Sequence, residues 1–482
     1  MAAAETTRDL LSTPEAGGRV VRGGILRGLG YVVGTLLAAG TSYFLLRHLG
    51  VDDFGRYGSI AALLGVVSGI SDAGLTAVGS RELALAGPAE RERLLRNLVW
   101  LRLAITPVGL AAAAAFSLVA YDRTMFWGTI LGGIGVLFVN TQATMMMPLS
   151  IELRLGAVTA FEVAKAALTF AAVAGLVALG SSLLPFFGAQ IPVGLAVIAL
   201  TPLAVPVRRG LLPAFDRALA GRLLRESLPL AVALTMNVVY FRVLMIMTSL
   251  LVSSRERGLF ATSFQVFTVL FSLPLLVLSS ALPLLSVAGR DDEPRLRLGL
   301  QRMTEVSALA GVAIVIAVYG TAPWVIPLLG GDAYRGAVPV LQIQSFALIP
   351  VFLGQTWQLG LLSIRRQAAL TWANGTALLL VLALGGAFIP LWSSRGAAAA
   401  AVVAESVLAI LVYAFLRRLK PAVAPRAGLL PRALLAAVPA FAIFALDLPW
   451  AAGTALALVV FAGLVVLLRA VPPDLVHGLR SR

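Results

Sequence analysis

Long apolar runs alternate with short polar interruptions from one end of the chain to the other. Fourteen runs stand out, at 29–46, 57–79, 98–120, 125–147, 158–180, 183–206, 228–252, 260–287, 303–329, 337–362, 368–391, 396–416, 431–447 and 450–469. A helix rises 1.5 Å per residue, so about 20 residues cross the hydrocarbon core of a bilayer. Membrane-spanning strands would instead show segments of about ten residues with alternating polarity. The pattern predicts an all-α polytopic membrane protein with about 14 transmembrane helices, called spans 1 to 14 below.

Composition agrees with this reading. Of 482 residues, 59% are hydrophobic and only 13% charged, about half the charged share of an ordinary soluble domain. Cysteine is absent, which excludes disulfide and thiol chemistry. The two histidines, His48 and His477, lie far apart in sequence, which argues against a histidine-based metal site. The net charge of +15 would suit nucleic acid if it were clustered. Its distribution points elsewhere. With the N-terminus placed in the cytoplasm, 29 of the 38 lysines and arginines fall in cytoplasmic segments and their helix ends. Arg81, Arg91, Arg93, Arg96 and Arg102 are counted with the loop between spans 2 and 3. Seven fall outside: Arg47, Arg56, Arg123, Arg255, Arg257, Arg335 and Arg395. Lys165 and Arg242 remain inside spans. Such a bias fixes topology through the positive-inside rule. It sets the expectation of a multi-pass inner-membrane protein with both termini cytoplasmic, no nucleic-acid partner and a monomeric state. No loop is long enough for a soluble catalytic domain, so no enzyme activity is expected.

The halves repeat weakly. "LGVDDFGRYGSIAALLGVVSG" follows span 1 and "VSSRERGLFATSFQVFTVLFS" follows span 7, with Gly55 and Gly258 in equivalent places. Both follow an inside-to-outside helix, the pattern of parallel repeats that work as paired lobes.

Four stretches carry a resemblance to a known family. They are "LRHLGVDDFGRYGSI" (46–60), "SDAGLTAVGSREL" (71–83), "VIPLLGGDAYRGAVPVLQIQS" (325–345) and "RGAAAAAVVAES" (395–406). In order and spacing they resemble the polysaccharide transporter family. These are the lipid-linked oligosaccharide flippases of the multidrug/oligosaccharidyl-lipid/polysaccharide exporter superfamily. The resemblance implies two six-helix lobes around a central cavity, plus two extra helices. The expected division is a cytoplasmic tail at 1–28, an N-lobe at 29–224, a C-lobe at 225–420, and spans 13 and 14 with the C-terminus at 421–482. It also implies alternating access and export of an undecaprenyl-diphosphate-linked oligosaccharide to the external leaflet. The partners would be that diphosphate headgroup, membrane lipids and a downstream polysaccharide polymerase. One departure concerns span 7: the family often reads Arg-x-Asp there, whereas this chain reads Arg242-Val243-Leu244.

Polar residues inside the spans are the candidate chemistry. Arg242 is the sharpest, because a charge at mid-bilayer costs about 2.5–3.5 kcal/mol on insertion scales. It lies roughly 15 Å from the external end of span 7, too far for easy snorkelling. A guanidinium suits bidentate contact with phosphate oxygens; the alternative is a structural arginine satisfied by a neighbouring helix. Glu405 in span 12 suits pairing with Arg242, H⁺ or Na⁺ binding, sugar contact, or burial as a packed neutral acid beside the alanine run. Asp72 lies within span 2 just before Gly74, which suggests a bend; a structural hydrogen bond and a cavity role are both open. Asn237 and Gln355 are candidate glycan contacts. Glu162 and Lys165, three apart, share a helical face, and a local ion pair is favoured over ion coupling. The run Met145-Met146-Met147 reads as apolar packing. No cofactor is expected beyond H⁺ or Na⁺ coupling. The functional alternatives are a lipid II flippase of peptidoglycan synthesis and a drug exporter of the same superfamily. A drug exporter for cations would want acids, not an arginine, at its centre.

Overall fold

In hydrocarbon every backbone amide must find its partner within the segment, which leaves the helix as the available solution for these runs. The computed structural model describes residues 14–72, 74–152, 154–205, 212–426, 428–446 and 448–468. The ends of the expected cytoplasmic tail and C-terminus, 1–13 and 469–482, lie outside them. The helices are α1 (Pro14–Asp72), α2 (Leu75–Leu85), α3 (Pro88–Ala120), α4 (Arg123–Met145), α5 (Met147–Ile151), α6 (Leu155–Ala178), α7 (Leu183–Gly188) and α8 (Gln190–Ala204). They continue with α9 (Arg217–Leu251), α10 (Ser254–Asp291), α11 (Glu293–Gly330), α12 (Ala337–Ser345), α13 (Leu348–Ser363), α14 (Gln367–Leu419), α15 (Leu429–Ala442) and α16 (Trp450–Leu467). Among the described residues there is no strand.

Eleven helical segments are long and apolar enough to cross a membrane. Two of them are double. α1 breaks at Gly50 (φ 71°, ψ 177°), and α14 breaks at Ser393 (φ 51°, ψ −129°). α10, 38 residues long, supplies the remaining crossing. All fourteen expected spans therefore have a helix, and the chain is an all-α multi-pass membrane protein with short connections.

The chain divides into two compact units, residues 1–242 and 243–482. The division falls inside α9, at Arg242–Val243, rather than ahead of span 7. The reason lies in what each half of α9 touches. Its first half packs on α1, where a Cβ added at Gly69 would meet Val238 at 2.9 Å. Its second half supplies Leu244 and Met247, which a Cβ on Gly385 of α14 would meet at 3.2 and 2.9 Å. The last two helices join the second unit instead of standing apart. α15 and α16 pack on α11 through Ala436, Ala440, Ala457 and Phe461 against Val312 and Ile316.

In the first unit, α1 and α6 run side by side in the same direction, Gly30 meeting Thr159 and Gly40 meeting Phe170. α9 runs opposite to the second half of α1. Both relations match an alternating topology in which odd-numbered spans share one direction. Small residues permit these approaches, as membrane helix packing requires. Gly128 and Gly132 of α4 face Ile60, Leu64 and Phe187, which form one apolar cluster with Met125 and Leu183. Met145, Met146 and Met147 sit in a second cluster with Leu75, Leu98 and Leu223, so this run is packed core. In the second unit the alanine run lies at a packed seam, with Ala397, Ala398, Ala400 and Ala404 fully buried.

The repeat is visible in backbone chemistry. Ser59 Oγ donates to the Gly55 carbonyl at 2.9 Å, and Thr262 Oγ1 donates to the Gly258 carbonyl at 2.9 Å. Tyr57 and Phe260 are the matching aromatics.

Polar ends are capped by acids. The Asp122 carboxylate accepts from the Met125 amide (2.9 Å) and that of Asp292 from the Arg295 amide (2.9 Å). Asp216 does the same for α9, accepting from the Leu219 amide at 3.1 Å. Arg93 Nε donates to its other oxygen at 2.8 Å. The Leu219 amide first, then the Arg93 guanidinium, hold the Asp216 carboxyl below the ordinary carboxylate range. A depressed folded-state value means a stabilising contribution that is present above the unfolded value and lost as pH falls through the folded one. Asp216→Ala should therefore speed amide exchange in the first turn of α9 at neutral pH. The difference from the parent should vanish in acid, below the ordinary carboxylate range. Equal exchange at neutral pH would remove the cap from this account.

Candidate functional site

Span 2 is where the first unit concentrates its intramembrane polarity. The second half of α1 ends at Asp72, and the helix restarts at Leu75 after Gly74 takes the left-handed conformation (φ 70°, ψ 3°). A Cβ at Gly74 would also meet the Ser227 carbonyl at 3.2 Å, so both torsion and proximity demand glycine. The bend expected after Asp72 is present.

The Asp72 carboxylate accepts from Arg102 Nη2 at 2.9 Å. Thr76 Oγ1 closes the group, donating to Asp72 and accepting from Arg102 Nη2 at 3.2 Å. Arg102 Nε donates to Thr144 Oγ1 at 3.0 Å, which in turn donates to the Asn140 carbonyl at 3.1 Å. Ser68 Oγ donates to Asn140 Oδ1 at 3.0 Å. A polar ladder thus joins α1, α2, α3 and α4 inside the unit. Arg102 is 3% exposed. It is a buried side chain, not a loop cation of the positive-inside count. The sequence carried a signal for it: an acid inside a span calls for a cation, and Arg102 stands four residues into span 3.

Arg242 sits differently. Its guanidinium lies over α1 at Gly65, where an added Cβ would stand 3.0 Å from Nε and 3.4 Å from Cζ. Glycine makes the slot. Cζ is 5.5 Å from the Phe241 ring centroid, a weak cation–π contact. Among the described residues of its own unit, no carboxylate lies within ion-pair distance of Arg242. Gly65 and Asp72 are seven residues apart on α1, roughly 10 Å at helical rise. The ladder and the arginine slot therefore lie on the same helix, two turns apart. Chemically, the pair Asp72–Arg102 is internally neutral, whereas the charge of Arg242 is not matched by a described carboxylate of its unit.

The other candidates disperse. Asn237, five residues before Arg242 on α9, is exposed. Glu162 and Lys165 pair on α6 at 3.3 Å. Glu405 and Gln355 belong to the second unit. Glu405 is buried in the second half of α14. Gln355 Nε2 donates to the Phe271 carbonyl at 3.2 Å, and its Oε1 is buried without a partner among the described residues. At the break of α14, Glu256 accepts from the Ser394 amide at 3.2 Å and from the Ser394 hydroxyl. This holds the left-handed Ser393 in place. Among the described residues no group of three or more His, Cys, Asp or Glu side chains is placed to hold a metal ion.

Sequence and fold comparisons bear on this arrangement. The profile of a family described as polysaccharide biosynthesis protein matches residues 44–339. No curated protein matches the chain in sequence. Among solved structures, the lipid II flippase MurJ in an inward closed conformation superposes with a TM-score of 0.76 at 10% identity, covering 94% of this chain and 100% of that one. An inward-facing multidrug resistance MATE family transporter of the MOP superfamily gives 0.69 at 14% identity, over 83% and 98%. A MOP superfamily transporter from Pyrococcus furiosus Vc1, described as having a binding pocket of reverse polarity, gives 0.57 at 13% identity, over 84% and 96%. At these identities the likeness establishes the fold.

The asymmetry of burial within the ladder has a consequence. Removing one partner of a buried pair strands the other, at about 3–5 kcal/mol. The Arg102 side chain is 4% exposed and that of Asp72 30%. Asp72→Ala strands the more deeply buried charge. It should lower the yield and melting temperature of the detergent-solubilised protein more than Arg102→Met does. The reverse order would show that solvent, not Asp72, satisfies Arg102.

Proposed function

The chain belongs to the polysaccharide biosynthesis protein family, and on that premise we propose that it flips an undecaprenyl-diphosphate-linked oligosaccharide from the cytoplasmic to the external leaflet. It does so by alternating access, in the service of surface polysaccharide assembly. The observation that carries this reading is Arg242. It is a guanidinium within a span, set in a slot made by Gly65 and unneutralised by any described carboxylate of its unit. A permanent cation there costs several kcal/mol unless it is hydrated or meets an anion. A diphosphate supplies that anion, with oxygens matched to the planar donor fork.

The protein then works as a carrier, not as an enzyme, in the inner membrane with both termini in the cytoplasm. The arginine distribution supports that orientation. Asn237, exposed on the same helix five residues from Arg242, is suited to contact the sugars. Asp72 acts through its ion pair with Arg102, holding the bend of span 2, rather than through the glycan. Of the candidates for H⁺ or Na⁺ coupling, Glu162 is matched by Lys165 at 3.3 Å. Glu405, buried in the second half of α14, is the other candidate for a coupling ion. A downstream polymerase that consumes the external product would add direction without an ion.

The test uses purified protein in proteoliposomes carrying a fluorescent diphosphate-linked oligosaccharide, read by accessibility of its sugar to an external quencher. Arg242→Ala should slow flipping by at least about tenfold, the worth of one charge-assisted contact, with normal protein levels. Arg242→Lys should retain part of the rate, because it keeps the charge and loses the fork. Parental flipping in Arg242→Ala would end the phosphate-anchor reading. The same vesicles loaded with lipid II or with a cationic dye separate this substrate from the peptidoglycan precursor and from drugs.

A second outcome concerns the slot. Gly65→Val places branched carbon against Nε and should depress flipping toward the Arg242→Ala level while the protein remains abundant. Gly65→Ala, with a single Cβ at 3.0 Å, should have the smaller effect. Full activity in Gly65→Val would show that the position of the guanidinium is unimportant.

A further inference from the structure

The second unit carries a cleft of about 710 Å³ where the first turns of α11 meet the connection that leads to α15. It lies on the face that the arginine distribution assigns to the cytoplasm, and Arg242 is not among its lining residues. One wall is the helical stripe Glu293, Arg297, Gln301 and Glu305, spaced at four; the other is the segment carrying Ala422 and Arg426.

The cleft is built rather than incidental. Gln301 Oε1 accepts from the Arg426 amide at 2.6 Å, and Gln301 Nε2 donates to the Arg426 carbonyl at 3.2 Å. Tyr413 Oη donates to the Pro425 carbonyl at 2.9 Å. Two side chains therefore fix the backbone from which Arg426 projects. The acids of the cleft are already matched. Glu293 pairs with Lys420. Glu305 pairs with Arg302 at 3.1 Å and accepts from Gln301 Nε2 at 2.8 Å. Among the described residues no carboxylate pairs with Arg297 or Arg426. Leu298 stands 57% exposed at the rim, so an apolar lip adjoins the two guanidinia.

We propose that this cleft binds the phosphate headgroup of an anionic membrane phospholipid, with Arg297 and Arg426 as the phosphate contacts and Leu298 against the first methylenes of an acyl chain. Two arginines that no described carboxylate pairs with flank a spent acid–base lattice and leave the cleft net positive. The leaflet potential on the cytoplasmic side concentrates anionic lipid at such a place. A solvated basic surface, which the positive-inside rule alone would produce, needs neither the Gln301 clamp nor an exposed leucine beside the charges.

The experiment is native mass spectrometry of the full-length protein released from mixed micelles, titrated with phosphatidylglycerol or with phosphatidylcholine, with and without inorganic phosphate. Phosphatidylglycerol should bind and phosphatidylcholine should not. Arg297→Gln and Arg426→Gln should each weaken binding about fivefold, and the double variant about 25-fold. Arg297→Lys should keep most of it. Arg295→Gln, an exposed arginine beside the cleft but not lining it, should change it little. Parental phosphatidylglycerol binding in the double variant overturns the proposal. So does an equal loss in Arg295→Gln, which would mean a diffuse surface field. Displacement of the lipid by millimolar inorganic phosphate would assign the cleft to a soluble anion and overturn the lipid assignment. The readout is lipid retention, so it is independent of whether flipping by Arg242 stands.

Discussion

Hydrocarbon offers no hydrogen bonds, and that one constraint shapes this chain. Backbone amides must close on themselves, so the spans are helices, and departures occur only where something else supplies the geometry. At Gly50 and Gly74 the missing side chain supplies it. At Ser393 it is the Glu256 carboxylate, which catches the Ser394 amide and hydroxyl beyond the break. The same constraint acts on side chains. A charge brought into the membrane is matched, hydrated or held ready for a ligand.

Two arginines of the first unit show two of these outcomes on one helix. Arg102 is closed off: Asp72, Thr76 and Thr144 take its donors, and the ladder runs on to Asn140 and Ser68. Such a pair adds little net stability against an apolar replacement but fixes geometry strongly. What it fixes is the end of span 2, where the helix breaks at Gly74 against Ser227. Two turns away, Arg242 lies over Gly65 with no described acid of its unit to close it off. The rigid pair thus anchors the helix that also forms the arginine slot. A bound anion would meet a guanidinium whose supporting wall is already held by the ladder.

The span count was legible in the sequence because a 20-residue apolar run leaves hydrocarbon-spanning helix as nearly the sole outcome. The bend at Gly74, the packed methionines and the Glu162–Lys165 pair were legible for similarly local reasons. Arg102 was not, because span limits carry an error of about one turn and a cation near a boundary counts as a loop charge. Only the partner, 30 residues earlier, reveals it. Packing divides the chain at a point that composition does not mark. The division between the two compact units falls within α9, at the residue where glycines of α1 give way to Gly385 of α14. Composition does not encode which neighbour a helix face meets.

The repeat shows which features have stayed fixed and which have diverged. The turn is kept: Gly55 with Ser59 and Gly258 with Thr262 make the same hydroxyl-to-carbonyl bond, each followed by a long helix. The interior is not. Counting from those glycines along uninterrupted helix, Asp72 corresponds to Leu275. The second unit therefore lacks the acid around which the first unit builds its ladder. Its interior polarity is of another kind, in buried pairs such as Ser263–Gln344 and Ser307–Thr356, while the Glu256–Ser394 lock and the clamp of Gln301 on Arg426 hold its ends. The repeat keeps the frame and varies the chemistry inside it: the first unit holds the charged Asp72–Arg102 ladder, and the second holds these neutral pairs beside the buried Glu405.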